Sequence, residues 1–111
     1  MVLGLKISGS FLKVAKLRLK AEDILSLGKT FDLAVMMDIL SYLEKWQDVI
    51  ANIPQICEYI YISLYIPTNP IGFVKSFDDL CEEVEKHFEI VTKVCIETES
   101  CILILARRKH V

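Results

Sequence analysis

The sequence predicts an α/β layered domain with a mainly parallel sheet and an antiparallel hairpin at its C-terminal end. Three observations predict it. The stretches VLGLKI, FDLAVMM and EYIYISLYI are near-continuous apolar runs, the pattern of strands buried on both faces. DILSYLEKWQDVIANI and SFDDLCEEVEKHF lie between and after them and carry apolar residues at helical spacing. The last two apolar runs, FEIVTKVCI and SCILILARR, are separated by only Glu97, Thr98 and Glu99. A link that short permits only an antiparallel hairpin.

Each element follows in order. Residues 2–7 form the first strand, with Lys6 near its end and Ser8-Gly9-Ser10 as the turn after it. A serine there can cap a helix, because its oxygen accepts from free first-turn amides. Phe11, Leu12, Val14, Ala15 and Leu17 to Leu19 then give that helix a broad apolar side. LKAEDILSLG, residues 19–28, is either a short strand ending at Asp23 or more of the helix. Gly28-Lys29-Thr30 turns the chain into the strand FDLAVMM, residues 31–37. The helical run beginning at Ile39 divides into two pieces hinged near Trp46, and Pro54 ends it, since the residue before a proline avoids the α region. EYIYISLYI, residues 58–66, is the next strand, and PTNPIG after it reads as a loop. Ser76 opens the next helix, with Asp79 completing an acidic capping box. Phe77, Leu80, Cys81, Val84 and Phe88 mark that helix's buried side.

Composition bounds the function. The 111 residues suit a single domain spanning 1–111. The hydrophobic fraction is 53%, yet no run approaches the ~18 residues of a membrane helix. The start lacks the basic and apolar regions of a signal peptide, which implies a cytoplasmic protein. A net charge of −2 leaves no electrostatic footprint for nucleic acid. The basic Arg107-Arg108-Lys109-His110 reads as a solvated end that keeps the last strand soluble. Cys57, Cys81, Cys95 and Cys101 form no CxxC and accompany only two histidines, so no metal site is expected. Cys95 and Cys101 flank the hairpin turn and could face each other, although a reducing cytosol disfavours a disulfide.

The order of motifs resembles class I S-adenosylmethionine-dependent methyltransferases. FDLAVMMDILSYL resembles their fourth strand and following turn, and EYIYISLYIP their fifth strand and the loop over the substrate. SFDDLCEEVEKHFEI through ESCILILARRK resembles their antiparallel ending, and KAEDILSL their third strand with its acid, here Asp23. The resemblance covers about residues 2–109 and implies a Rossmann-like, methyltransferase-type sandwich. The opening fits in two registers. In the first and preferred one, VLGLKIS is the family's second strand, with Lys6 where a ribose-binding acid normally stands, and the first strand and its glycine loop are absent. In the second, VLGLKISGS is the glycine loop itself, with Lys6, Ser8 and Ser10 in place of glycines.

Either register removes chemistry. Lysine only donates hydrogen bonds, so it cannot accept from a ribose diol as a carboxylate does. Side chains at glycine positions also block close approach of the backbone. The resemblance therefore implies an S-adenosylmethionine site built from Lys6, Ser8, Asp23, Met37 and Asp38, but a reduced one. Lys6 is otherwise a surface lysine or an anion contact, and Asp38 otherwise a cap for the helix starting at Ile39. Tyr65, Thr68 and Asn69 would face substrate. Tyr42 and Trp46 read as packing or interface residues, and His87 as a favourable charge at a helix C-terminus. No catalytic group can be assigned. The expected function is a methyltransferase-like domain without autonomous catalysis, acting as a binding or self-associating module. Homodimerisation or a protein partner is expected because a lost central strand exposes apolar sheet. The alternative is an active methyltransferase whose cofactor site is reduced or completed by a partner.

Overall fold

The computed structural model describes the backbone of residues 2–7 and 11–16, and the backbone and side chains of residues 31–109. Ser8, Gly9, Ser10, Asp23 and the turn Gly28-Lys29-Thr30 lie outside the described residues.

Among the described residues, six strands form one sheet. They are β1 (Val2–Ile7), β2 (Phe11–Lys16), β3 (Phe31–Met37), β4 (Cys57–Tyr65), β5 (Phe88–Ile96) and β6 (Cys101–Arg108), in the spatial order β2-β1-β3-β4-β6-β5. Two helices, α1 (Trp46–Asn52) and α2 (Phe77–His87), complete the described structure. Among the described strands only β3 and β4 pair in parallel, whereas β1–β2, β1–β3, β4–β6 and β5–β6 are antiparallel. The sheet is therefore mixed, which corrects the expectation of a mainly parallel one.

The correction arises at the opening. Phe11–Lys16 is a strand, not the start of a helix. Ile7 pairs with Phe11 and Val2 with Lys16, so three residues link two antiparallel strands, a common hairpin length. The apolar residues Phe11, Leu12, Val14 and Ala15 fit a helical face, but Phe11 and Val14 also suit a pleated surface. Period alone does not separate the two over so short a stretch.

The remaining elements follow the sequence closely. The helical run after β3 is broken, with a 3-10 turn at Leu40–Tyr42 and α1 starting at Trp46. Pro54 sits inside the 3-10 turn Ile53–Gln55 that ends the run. Ser76 caps α2: its Oγ accepts from the Asp79 N–H at 3.0 Å. β5 and β6 form the expected hairpin, with a bulge between Ile90 and Thr92.

Pairing and burial define the faces. Ala34 and Met36 of β3, Ile60, Ile62 and Leu64 of β4, and Ile102, Ile104 and Ala106 of β6 share one face and are buried. Trp46, Val49 and Ile50 of α1 and Leu80 and Val84 of α2 join them in one core. On the opposite face, Leu33, Val35, Tyr59, Tyr61, Leu103 and Leu105 are only half-buried, and no described helix covers them.

The cysteines are all free. Cys95 pairs with Ile102 and Cys101 with Ile96, so the two cysteines point to opposite faces and do not meet. The basic end is not merely solvated. Arg107 donates to Glu58 Oε1 at 3.1 and 2.8 Å and lies over the Tyr59 ring at 5.7 Å. Arg108 donates to the Pro54 carbonyl at 3.1 Å. These residues are held because β6 runs beside the start of β4.

Two outcomes test this packing. Ser76→Ala removes the cap and should cost about 1 kcal/mol, lowering the melting temperature by roughly 4 °C in a calorimetric scan. Cys57 is fully buried, and burial pushes its thiol from 9.0 up to about 12. Its folded value lies above its unfolded one, so its contribution is present below pH 9 and is lost as pH rises toward 12. Urea midpoints should fall across that range, and Cys57→Ala should remove this part of the slope.

Candidate functional site

The parallel pair creates the site. β3 and β4 both run toward the same sheet edge, and clefts in open α/β sheets form beyond the carboxyl ends of such strands. The chain leaves β3 through Asp38, whose φ of 55° lies in the left-handed region. Asp is among the few non-glycine residues that visit this region readily. The turn lets Asp38 hold β4 twice. Its N–H donates to the Ser63 carbonyl at 2.7 Å, and its Oδ1 accepts from the Tyr65 N–H at 3.1 Å. Asp38 is therefore a clamp between strand ends and not the expected helix cap, since the 3-10 turn that follows has no side-chain cap.

The loop after β4 returns over this edge. The Phe73 N–H donates to the Ser41 carbonyl at 2.9 Å. The approach demands glycine at position 72: a Cβ there would lie 2.6 Å from Ser41 Cβ and 2.8 Å from Ser41 O. Between the two loops lies a cleft of about 420 Å³. Asp38, Ser41, Tyr42 and Tyr65 line it together with the apolar Pro67, Pro70 and Ile71. Its rim is apolar and open to solvent, with Ile71 97%, Tyr42 81% and Tyr65 55% exposed. A second groove of about 340 Å³ runs past Trp46, Lys75, Asp79, Glu83 and Lys86 and mixes both signs of charge.

The sequence-derived site residues separate. Asp38 and Tyr65 meet at the cleft, whereas Met37, Thr68 and Asn69 are exposed but do not line it. Lys6 stands elsewhere. Gly4 pairs with Leu33 while β1 runs opposite to β3, so Lys6 lies level with the amino end of β3. At ~3.3 Å per residue, that is roughly 20 Å from Asp38. Ser8 and Asp23 lie outside the described residues. Trp46 is buried packing, as its spacing indicates, but Tyr42 belongs to the cleft. Sequence reasoning missed Ser41, Pro67, Pro70, Ile71 and Gly72 as walls. PTNPIG signals a loop, but nothing local says that it folds back onto Ser41. Among the described residues no group of His, Cys, Asp and Glu side chains could hold a metal ion.

Known structures resemble this fold. Magnesium protoporphyrin IX methyltransferase from Synechocystis PCC 6803, solved with bound SAM, aligns at a TM-score of 0.56 with 17% identity, over 74% of this chain and 41% of that one. The N-terminal domain of EvdMO1, solved with SAH and D-fucose, aligns at 0.56 with 12% identity, over 83% of this chain and 52% of that one. The pyocyanin biosynthetic protein PhzM aligns at 0.54 with 12% identity, over 73% and 31%. The fold is methyltransferase-like. The chain spans about a third to a half of each of these chains. No family model matches the sequence, and no curated protein matches it. Among the described residues no helix is long and apolar enough to cross a membrane.

The wall contact can be tested directly. Gly72→Ala should push the loop off Ser41 and cost about 1–3 kcal/mol. Amide shifts in an NMR spectrum should change at Ser41 and Phe73 while α2 stays unaltered.

Proposed function

We propose that this chain is a methyltransferase-like domain that binds a small ligand in the cleft between the loops after β3 and β4 and does not transfer methyl groups on its own. One observation carries the reading. The strand beside β3 on the side away from β4 is β1, and it is antiparallel. It presents its amino end, not its carboxyl end, to the edge where the cleft lies. Its own carboxyl end leads into a hairpin with β2. A strand-to-helix turn with free helix amides is what usually cradles a cofactor's charged groups, and residues 11–16 are strand instead. This supports reading the cofactor half as reduced, while the β3–β4 half keeps its cleft.

A second reading keeps the enzyme. Two of the similar structures hold SAM or SAH, so S-adenosylmethionine is the cofactor this chain would take if a partner or second copy completed the site. The half-buried face bearing Leu33, Val35, Tyr61 and Leu105 is consistent with such association, either as a homodimer or with a protein partner.

Calorimetric titration of the purified chain with S-adenosylmethionine and S-adenosylhomocysteine tests the first reading. No heat at millimolar ligand is expected. Micromolar binding would overturn the non-catalytic reading and favour the enzyme.

A further inference from the structure

We propose that the cleft after β3 and β4 selects an organic cation: a flat, largely apolar molecule carrying one protonated amine. The inference rests on the reading of this cleft as a ligand site and names the class of ligand it takes.

The charge of the lining points one way. Asp38 is the only described lining residue with a formal charge at neutral pH. Its Oδ1 is engaged by the Tyr65 N–H, which is a dipole and leaves the carboxylate's net charge in place. Lys75 makes no ion pair with it: its ammonium reaches the Pro70 carbonyl at 3.5 Å, and it lines the neighbouring groove. An anion entering the cleft would meet an uncompensated carboxylate, whereas an ammonium group would gain a charge-assisted hydrogen bond to it.

The walls set the rest of the molecule. Tyr42 and Tyr65 line the same space, and tyrosine faces attract cations as well as flat rings. Pro67, Pro70 and Ile71 offer apolar contact and no charge. A volume of about 420 Å³ lies toward the small end of ligand clefts, which suits one or two fused rings with a short arm. The cleft is open to solvent, so the electrostatic preference is screened and modest.

Three probes sharing one ring system test this: tryptamine, uncharged 3-methylindole and anionic indole-3-acetate. Each is titrated into the full chain at pH 7 in low salt, following the amide signals of Ser41, Tyr65 and Gly72. Tryptamine is expected to bind about tenfold more tightly than 3-methylindole, with indole-3-acetate weakest. Asp38→Asn should cut the tryptamine preference severalfold, leaving the smaller part that the tyrosine faces contribute. Asparagine keeps an acceptor for the Tyr65 N–H and tolerates the left-handed backbone. Raising the salt to 1 M should shrink the tryptamine preference in the unaltered chain, which gives the same answer without a variant. Equal affinity for all three probes, or a preference for the acetate, would overturn the cation inference and leave the cleft as a ligand site. No binding of any probe at millimolar concentration would overturn both.

Discussion

The arrangement depends on how β3 hands the chain to β4's edge. A parallel pair has no turn to hold its ends in register, so the register must be fixed by something else. Buried apolar side chains on one face fix it along most of the length, because a one-residue slip would turn Ala34 and Met36 away from the core. At the open end the lock is Asp38, bonded through its backbone to Ser63 and through its side chain to Tyr65. The same residue turns the backbone into the left-handed region and so directs the chain toward Ser41. From there Gly72 and Phe73 can pack back. Strand register, loop path and cleft charge all converge on one side chain.

The C-terminal two-thirds of the fold was legible because its signals are redundant. Residues 77–88 combine a serine cap with apolar residues at helical spacing. The final hairpin is forced by the shortness of its link, whatever the strand preferences. β3 and β4 are apolar runs between clear breakers. The opening was not legible for the opposite reason. FLKVAK satisfies a helical and an extended pattern about equally, and its pairing with β1 decides the matter. That pairing is non-local information, absent from any window of the sequence.

The site was half legible. Asp38 and Tyr65 follow from the rule that clefts open beyond the carboxyl ends of parallel strands. Lys6 joins them in the sequence reading through the resemblance of VLGLKIS to a strand that ends at a ribose-binding acid, in a sheet expected to be mainly parallel. Reversing that strand moves Lys6 to the far edge. The walls at Ser41 and Gly72 depend on a loop crossing that composition cannot encode. The basic end shows the same limit, since nothing near Arg107 in sequence names Glu58 or Tyr59 as its neighbours.

The strand order β4-β6-β5 has a consequence for how the chain is made. β6 follows β5 in sequence yet lies between β5 and β4. In order of synthesis, β4 and β5 are therefore both made before the strand that joins them. An unpaired apolar edge invites pairing with other chains, and partly made domains are exposed to that risk. Cys101–Arg108 is thus the segment on which both neighbours depend: without it β4 keeps an open edge and β5 has no strand to pair with.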